Sequence, residues 1–507
     1  MLLDWKDISI GAFICATLVG ALLRVNKRTI LPLPPGPRPV PILGNICGVD
    51  IKAPWLGYTE WGKQYGDIVC SHVLGQYIVV INSEKVAFEL LGKRSYNYSD
   101  RPDLPANELF GFGFNTILMK YGARWRCQRR IFHQTFRAEA ALSYRPMQQK
   151  KVQQLICDMY DAPEEFLKHI HVFSSSVIMS ASYDYETKPD DPLVDLIGKS
   201  LELAVQELRP EVATVLNALP FLLRIPAWFP GMSLKKKVIK SREWLQQWMN
   251  DPFQDVLERT AEGKAQPSMV SNALRRIEGK ETPDDITTIK ETAATAFGSK
   301  CQSDTTDLIL QVFILAMVLF PEVQAKAHTL IDEVVGASRL PTFEDRSSLQ
   351  YIDAILRETL RWHPILPLSV PHASTNSDVY EGYYIPKGTI IVPNVWAMSQ
   401  NEEKYPNPSQ FSPERFLAAD GNLNDDTVNM AFGFGRRICV GRHFADANLW
   451  IAITSLLATF KFSKQIGADG KAIDFEPRWS SGIAIHPLPY PCSITPRLRK
   501  VTQIHDL

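Results

Sequence analysis

A mainly α-helical fold with a small β portion is the architecture this sequence predicts, on three observations. Helical periodicity dominates from about residue 120 to 362. β-prone runs are confined to three places, near residues 67–81, 379–393 and 482–494. No internal repeat or low-complexity tract divides the chain, so residues 42–507 read as one domain.

Composition sets outer limits. The chain has 507 residues, 45% hydrophobic and 22% charged, which excludes a disordered or collagen-like protein and allows a large core without disulfide or metal staples. Lys and Arg total 55, as do Asp and Glu, so the formal net charge is zero. Such a chain has no global attraction to nucleic acid, and no nucleic-acid partner is expected. The eight cysteines, at 15, 47, 70, 127, 157, 301, 439 and 492, include no C-x-x-C pair. That excludes a zinc ribbon and a thioredoxin motif, and scattered cysteines in a large chain read as reduced and cytosol-facing.

From the N-terminus, Ile8 to Leu23 is an uncharged apolar run flanked by Asp4 and Asp7 before and Arg24, Lys27 and Arg28 after. Sixteen helical residues span roughly 24 Å, and Leu2, Leu3 and Trp5 with a snorkelling Arg24 extend that towards a hydrocarbon core of about 30 Å. Residues 1–28 are therefore expected to be an N-terminal transmembrane helix in contact with membrane lipid. By the positive-inside rule the remainder faces the cytosol. A cleaved signal peptide is the competing reading; the acids before the run and the basic residues directly after it argue against that. Residues 29–41, which hold Leu31-Pro-Leu-Pro-Pro-Gly-Pro-Arg-Pro-Val-Pro41, are too proline-dense for helix and read as an extended, stiff hinge.

Further on, DIVCSHVLGQYIVVI at 67–81 predicts a hairpin about Gly75, and Ser83 is expected to cap a helix carrying Val86, Ala87, Leu90 and Leu91. One long helix is expected from Asp285 to Leu319, ending before Pro321, and another from Leu349 to Trp362, ending before Pro364. A C-terminal helix follows Gly441, and Gly482 to Ile494 is extended.

The stretch richest in chemistry is Phe432-Gly-Phe-Gly-Arg-Arg-Ile-Cys-Val-Gly441. A lone cysteine is most often a buried structural thiol. Here glycines lie on both sides of Cys439, suiting a tight turn and the close approach of a flat macrocycle, and backbone N–H groups can spread the charge of a thiolate on haem iron. Phe432 can cover the sulfur, and Arg437 can meet a haem propionate. The full spacing F-x-x-G-x-R-x-C-x-G resembles the signature of the cytochromes P-450, the haem-thiolate monooxygenases.

That resemblance runs over nearly the whole chain. Glu358-Thr-Leu-Arg361 resembles the family's E-x-x-R, and Pro413-Glu-Arg-Phe416 its P-E-R-F, with Arg415 joining Glu358 and Arg361 in a structural network. Trp125 and Arg129 match W-x-x-x-R, implying contact with haem propionates, while Arg124, Arg126 and Arg130 offer positive charge to a reductase. His372, in Pro371-His-Ala373, falls where the family has a propionate-binding histidine, and Arg101 is a further candidate.

Asp304-Thr305 is similar to the family's acid–threonine pair, implying a hydrogen-bonding Thr305 hydroxyl and an Asp304 that gates proton supply for dioxygen activation. The residues before it depart from the family's Ala-Gly. Aligned without gaps they are Cys301-Gln302; alternatively Gly298 is an earlier family glycine and two residues are inserted as a local bulge.

Residues 103–119 fall where the family roofs its haem, with Phe110, Phe112, Phe114 and Met119 as apolar lining; Leu366–Val370 and Ser481–Ile483 fall near other substrate-contacting stretches. The pattern most resembles fungal microsomal members related to O-methylsterigmatocystin oxidoreductase. What this implies is haem b as cofactor, an NADPH-dependent cytochrome P-450 reductase as partner, and a neutral lipophilic substrate from secondary metabolism or a xenobiotic. It also implies single-pass residence in the endoplasmic reticulum membrane. A reductase-independent haem-thiolate isomerase or dehydratase, and a non-enzymatic haem sensor, are the alternative readings.

Overall fold

The computed structural model describes residues 31–497 apart from 42–43, 46–47, 74, 104, 189, 208–232, 281 and 303–304. The expected anchor, residues 1–28, lies outside the described residues. Among the described residues no single helix is long and apolar enough to cross a membrane.

The principal helices, in chain order, are α1 Pro54–Tyr65, α2 Ala123–Phe136, α3 Arg145–Asp161, α4 Phe166–Tyr183, α5 Pro192–Glu207, α6 Ser233–Ala261, α7 Met269–Ile277, α8 Pro283–Gln302, α9 Thr305–Leu319, α10 Pro321–Val334, α11 Gln350–Trp362 and α12 Arg442–Thr459. Strands β1 Ile68–Val73 and β2 Gln76–Ile81 form the expected hairpin, with Ile68 opposite Ile81 and Gly75 at φ +87°. β2 pairs in parallel with β6 (Ile390–Pro393), and β6 is flanked by the short β3 (His372–Ala373), giving the order β1-β2-β6-β3. Two further ribbons pair β4 (Asp378–Tyr380) with β5 (Tyr383–Ile385), and β7 (Phe460–Lys464) with β8 (Cys492–Pro496). Mainly α with a small β portion is the architecture observed.

Two local expectations need correction. Ser83 starts its helix through its carbonyl, which accepts the Ala87 N–H at 3.0 Å; its hydroxyl makes no capping bond. That helix passes into a π-helical turn at Phe88–Lys93, burying Leu90 and Leu91. The long helix expected over 285–319 is helical throughout its described residues, as α8 Pro283–Gln302 and α9 Thr305–Leu319 on either side of residues 303–304. From Asp307 to Val318 every α9 residue is buried, as an all-round apolar sequence demands. The stretch expected to be extended from Gly482 forms a strand only at Cys492–Pro496.

Of the proline-rich stretch, the described residues lie against the folded domain. The Pro32 carbonyl accepts the Tyr384 N–H at 2.7 Å, and that of Pro35 accepts the Cys70 N–H at 2.8 Å. Proline lacks an N–H but keeps a carbonyl, so the segment can dock by accepting bonds alone.

Candidate active site: a cysteine loop beside buried arginines

Cys439 lies between a 3-10 turn, Gly435–Arg437, and the start of α12. Its N–H donates to the Phe432 carbonyl at 2.8 Å, closing the loop. Gly435 has φ +56°, and a Cβ there would fall 1.9 Å from the Leu91 carbonyl oxygen in the π-helical turn. Only glycine lets the loop lie on that turn. Cys439 is exposed, yet burial pushes its thiol pKa up, against the Gly441 N–H and the charges of Arg129 and Arg442. The three opposing groups are those that favour a thiolate.

Beside the loop, Trp125 is buried with Tyr121 at 5.1 Å, the Arg437 guanidinium 4.4 Å from its ring centroid and that of Arg129 at 5.8 Å. Arg129 Nη2 donates to the Ile438 carbonyl at 2.7 Å, gripping the residue next to the cysteine. Arg437 donates to the carbonyls of Ser99 (2.8 Å), Thr116 (3.2 Å) and Met119 (2.7 Å). Arg101 donates to Ile117, Val370 and Pro371, and is buried. The His372 ring nitrogen Nδ1 lies 2.7 Å from the Tyr98 carbonyl, which can only accept, so Nδ1 carries the proton.

The electrostatics of this group point to an anion. Burial draws Arg129 and Arg437 down to about 10; Cys439 opposes this at Arg129 and Asp100 at Arg437, while the charge of Arg442 adds to it at Arg129 and that of Arg129 at Arg437. Arg101 is drawn well below the usual range by burial and then by Arg437, and Asp100 opposes this in part. His372 is held neutral by burial and by the charges of Arg101 and Arg437. Among the described residues, Arg101, Arg129 and Arg437 form no ion pair, and all retain N–H groups beyond those bonded to carbonyls. Buried and half-buried guanidiniums that form no ion pair among the described residues suit a dianionic ligand edge, and with Cys439 nearby they fit a haem and its propionates.

Glu358 and Arg361 come together as expected, joined by Arg415 Nε at 3.1 Å and the Ser412 N–H at 2.8 Å. On the distal side, Thr305 is half-buried at the start of α9, whereas Asp304 lies outside the described residues. Gly298 has a local reason: a Cβ there would come within 3.0 Å of the Trp248 indole from α6. Phe110, Phe112 and Phe114 are buried, with Phe114 edge-on to Trp248 at 6.1 Å. Ser481–Ile483 are exposed.

Two polar groupings escaped the sequence reading. Glu291, buried in α8, takes both Nε and Nη2 of Arg124 at 3.2 and 2.5 Å and the side-chain amide of Gln128 at 2.9 Å. Asp307, buried in α9, accepts from Gln311 and lies 3.3 Å from His171 Nδ1. For Asp307, a charge on a helix that otherwise reads as apolar was the available signal; Glu291 stands on a helix with several other charges and gave none.

The comparisons with known proteins agree with this geometry. The cytochrome P-450 family model matches residues 34–493. The chain is 38% identical over 479 residues, 93% of itself and 91% of the relative, to cytochrome P-450 monooxygenase ple1 of Rhodocybe pseudopiperita. It is 37% identical over 496 residues, 97% of itself and 90% of the relative, to cytochrome P-450 monooxygenase claR of Ampulloclitocybe clavipes. The chain belongs to the cytochrome P-450 family, as a monooxygenase whose fold binds haem through a cysteine thiolate.

Proposed function

We propose that this chain is a membrane-anchored monooxygenase that carries haem b and oxidises a neutral lipophilic small molecule, a secondary metabolite or a xenobiotic. The observation that carries it is Cys439 in a glycine-bounded loop beside the buried Arg101 and the half-buried Arg129 and Arg437, which form no ion pair among the described residues. Haem, when bound, supplies the dioxygen chemistry that inserts one oxygen atom into a substrate bond. Cys439 would ligate its iron, with the Gly441 N–H stabilising the thiolate, while Arg101, Arg129, Arg437, Trp125 and His372 would hold the propionates. Thr305 would hold a proton at its hydroxyl, with Asp304 governing its supply. The buried Phe110, Phe112 and Phe114 make the neighbouring loop apolar, which favours an uncharged substrate.

Electrons would come from an NADPH-dependent cytochrome P-450 reductase. Support lies in a depression of ≈ 360 Å³ lined by Arg129, His133, Arg137, Glu139, Val440, Arg442 and His443, mostly basic and directly beside Cys439. An acidic partner surface complements it. The apolar run Ile8–Leu23 and its basic flank support single-pass residence in the endoplasmic reticulum membrane, catalytic domain in the cytosol. A spectral binding screen of lipophilic compounds, followed by turnover with NADPH and reductase, tests the proposal. Ligand-induced Soret shifts with NADPH-dependent hydroxylated product are expected. Product formation without NADPH would overturn it.

A further inference from the structure

Three elements meet at Thr116. Its N–H donates to Thr295 Oγ1 on α8 at 3.3 Å, its hydroxyl donates to Gln128 Oε1 on α2, and its carbonyl accepts from Arg437 Nη1 at 3.2 Å. The chain of bonds then closes on itself. Gln128 Nε2 donates to Glu291 Oε2 at 2.9 Å, and the Thr295 hydroxyl donates to the Glu291 backbone carbonyl at 2.9 Å. Outside the ring, Arg124 holds the Glu291 carboxylate from the protein surface. Thr116, Gln128, Thr295 and Glu291 are all buried.

The direction of each bond is set by its neighbours. The Thr295 hydrogen goes to a carbonyl, and its oxygen accepts the Thr116 N–H. Because the Gln128 amide nitrogen faces a carboxylate, its oxygen faces the Thr116 hydroxyl. Exchanging any member for an apolar residue leaves a buried group unpaired.

The segment held this way has little regular structure of its own. Between α2 and residue 110 it contains a single 3-10 turn at Phe112–Phe114. Side-chain bonds, not a ladder of backbone bonds, therefore decide where Phe112 and Phe114 sit relative to the distal helix and the cysteine loop. We propose that Thr116 is the positioning residue for the roof of the substrate chamber, with Gln128 and Glu291 keeping it in register with α8. This rests on the haem-thiolate reading above and adds to it a determinant of ligand affinity that acts through the loop. Ligands long enough to touch the roof depend on the ring, and those confined to the iron do not.

The test uses full-length holoenzyme as wild type, Thr116→Val, Thr116→Ser and Gln128→Leu, probed with imidazole and phenylimidazole by difference spectra and with hydrogen exchange over residues 110–119. Loss of one buried hydrogen bond corresponds to about a tenfold effect. Thr116→Val is expected to weaken phenylimidazole about tenfold relative to imidazole and to speed exchange at 110–119 by a similar factor, again about tenfold. Thr116→Ser, which keeps the hydroxyl, should match wild type in both, and Gln128→Leu should follow the valine variant. Should Thr116→Val not hold haem, Gln128→Leu carries the same comparison. The proposal is overturned if the valine and leucine variants keep the wild-type ratio and exchange, or if the serine variant is as impaired as valine. Failure of the haem-thiolate reading would look different: wild type itself would lack the red-shifted Soret band of its reduced carbon-monoxide complex.

Discussion

Arg361 grips both carboxylate oxygens of Glu358, Nε to Oε2 at 2.6 Å and Nη2 to Oε1 at 2.7 Å, and neither side chain is reached by solvent. The remaining guanidinium N–H groups go to the carbonyls of Ser399, Pro408 and Gln410. α11 is thereby fastened to the loop that leads into the cysteine segment. Arg361→Met leaves a buried carboxylate with only Arg415 and one backbone N–H, and should cost about 3–5 kcal/mol of stability. Urea unfolding checks this, and Arg361→Lys should not rescue it, since an ammonium cannot span two oxygens in a plane.

Cys439→Ser should abolish the red-shifted Soret band of the reduced carbon-monoxide complex. A variant that retained the band would remove Cys439 as the axial ligand.

The parts of this site that were legible in sequence are those whose spacing dictates their chemistry. Glycines around Cys439 and an i,i+3 pair at Glu358 and Arg361 are short-range patterns, and the geometry follows from them. Thr116, Gln128 and Glu291 were not legible. Gln128 and Glu291 stand 163 positions apart, and Thr116 and Thr295 stand 179 apart, so each taken alone reads as an ordinary polar residue.

His363 is stacked on Trp479 with ring centroids 3.2 Å apart, and its Nδ1 is buried without a partner. Burial pulls its pKa from 6.5 down to about 3. The folded state therefore resists a proton that the unfolded chain accepts. Its contribution to stability is intact above pH 6.5 and declines as pH falls towards 3. Within that window one such group accounts for about 1.4 kcal/mol per pH unit. His363→Phe should flatten the dependence of stability on pH by that amount, leaving the parts due to His328, which burial draws down to about 4, and to His372, which burial also holds neutral.

Thr305→Ala should raise hydrogen peroxide release per NADPH consumed and lower product yield, with substrate binding nearly unchanged. Gln302→Gly, at the last residue of α8, is the comparison. If the glycine variant loses coupling and the alanine variant keeps it, the proton relay runs through Gln302.

Deleting residues 1–28 should weaken sedimentation with membranes and leave haem content unchanged. Asn97 of the sequon Asn97-Tyr-Ser99 should carry no glycan in the full chain. Its side chain is buried, donating to the Asn376 carbonyl at 3.1 Å and accepting the Asn376 N–H at 2.7 Å.

The docking of Pro32 and Pro35 has a mechanical consequence. A pull on Leu31 is not taken up by slack; it is delivered within a few residues to β5 through Tyr384 and to β1 through Cys70. The segment acts as a lever clamped at two points along the sheets. Force applied at Leu31 would load β1 and β5, and so reach two separate sheets at once.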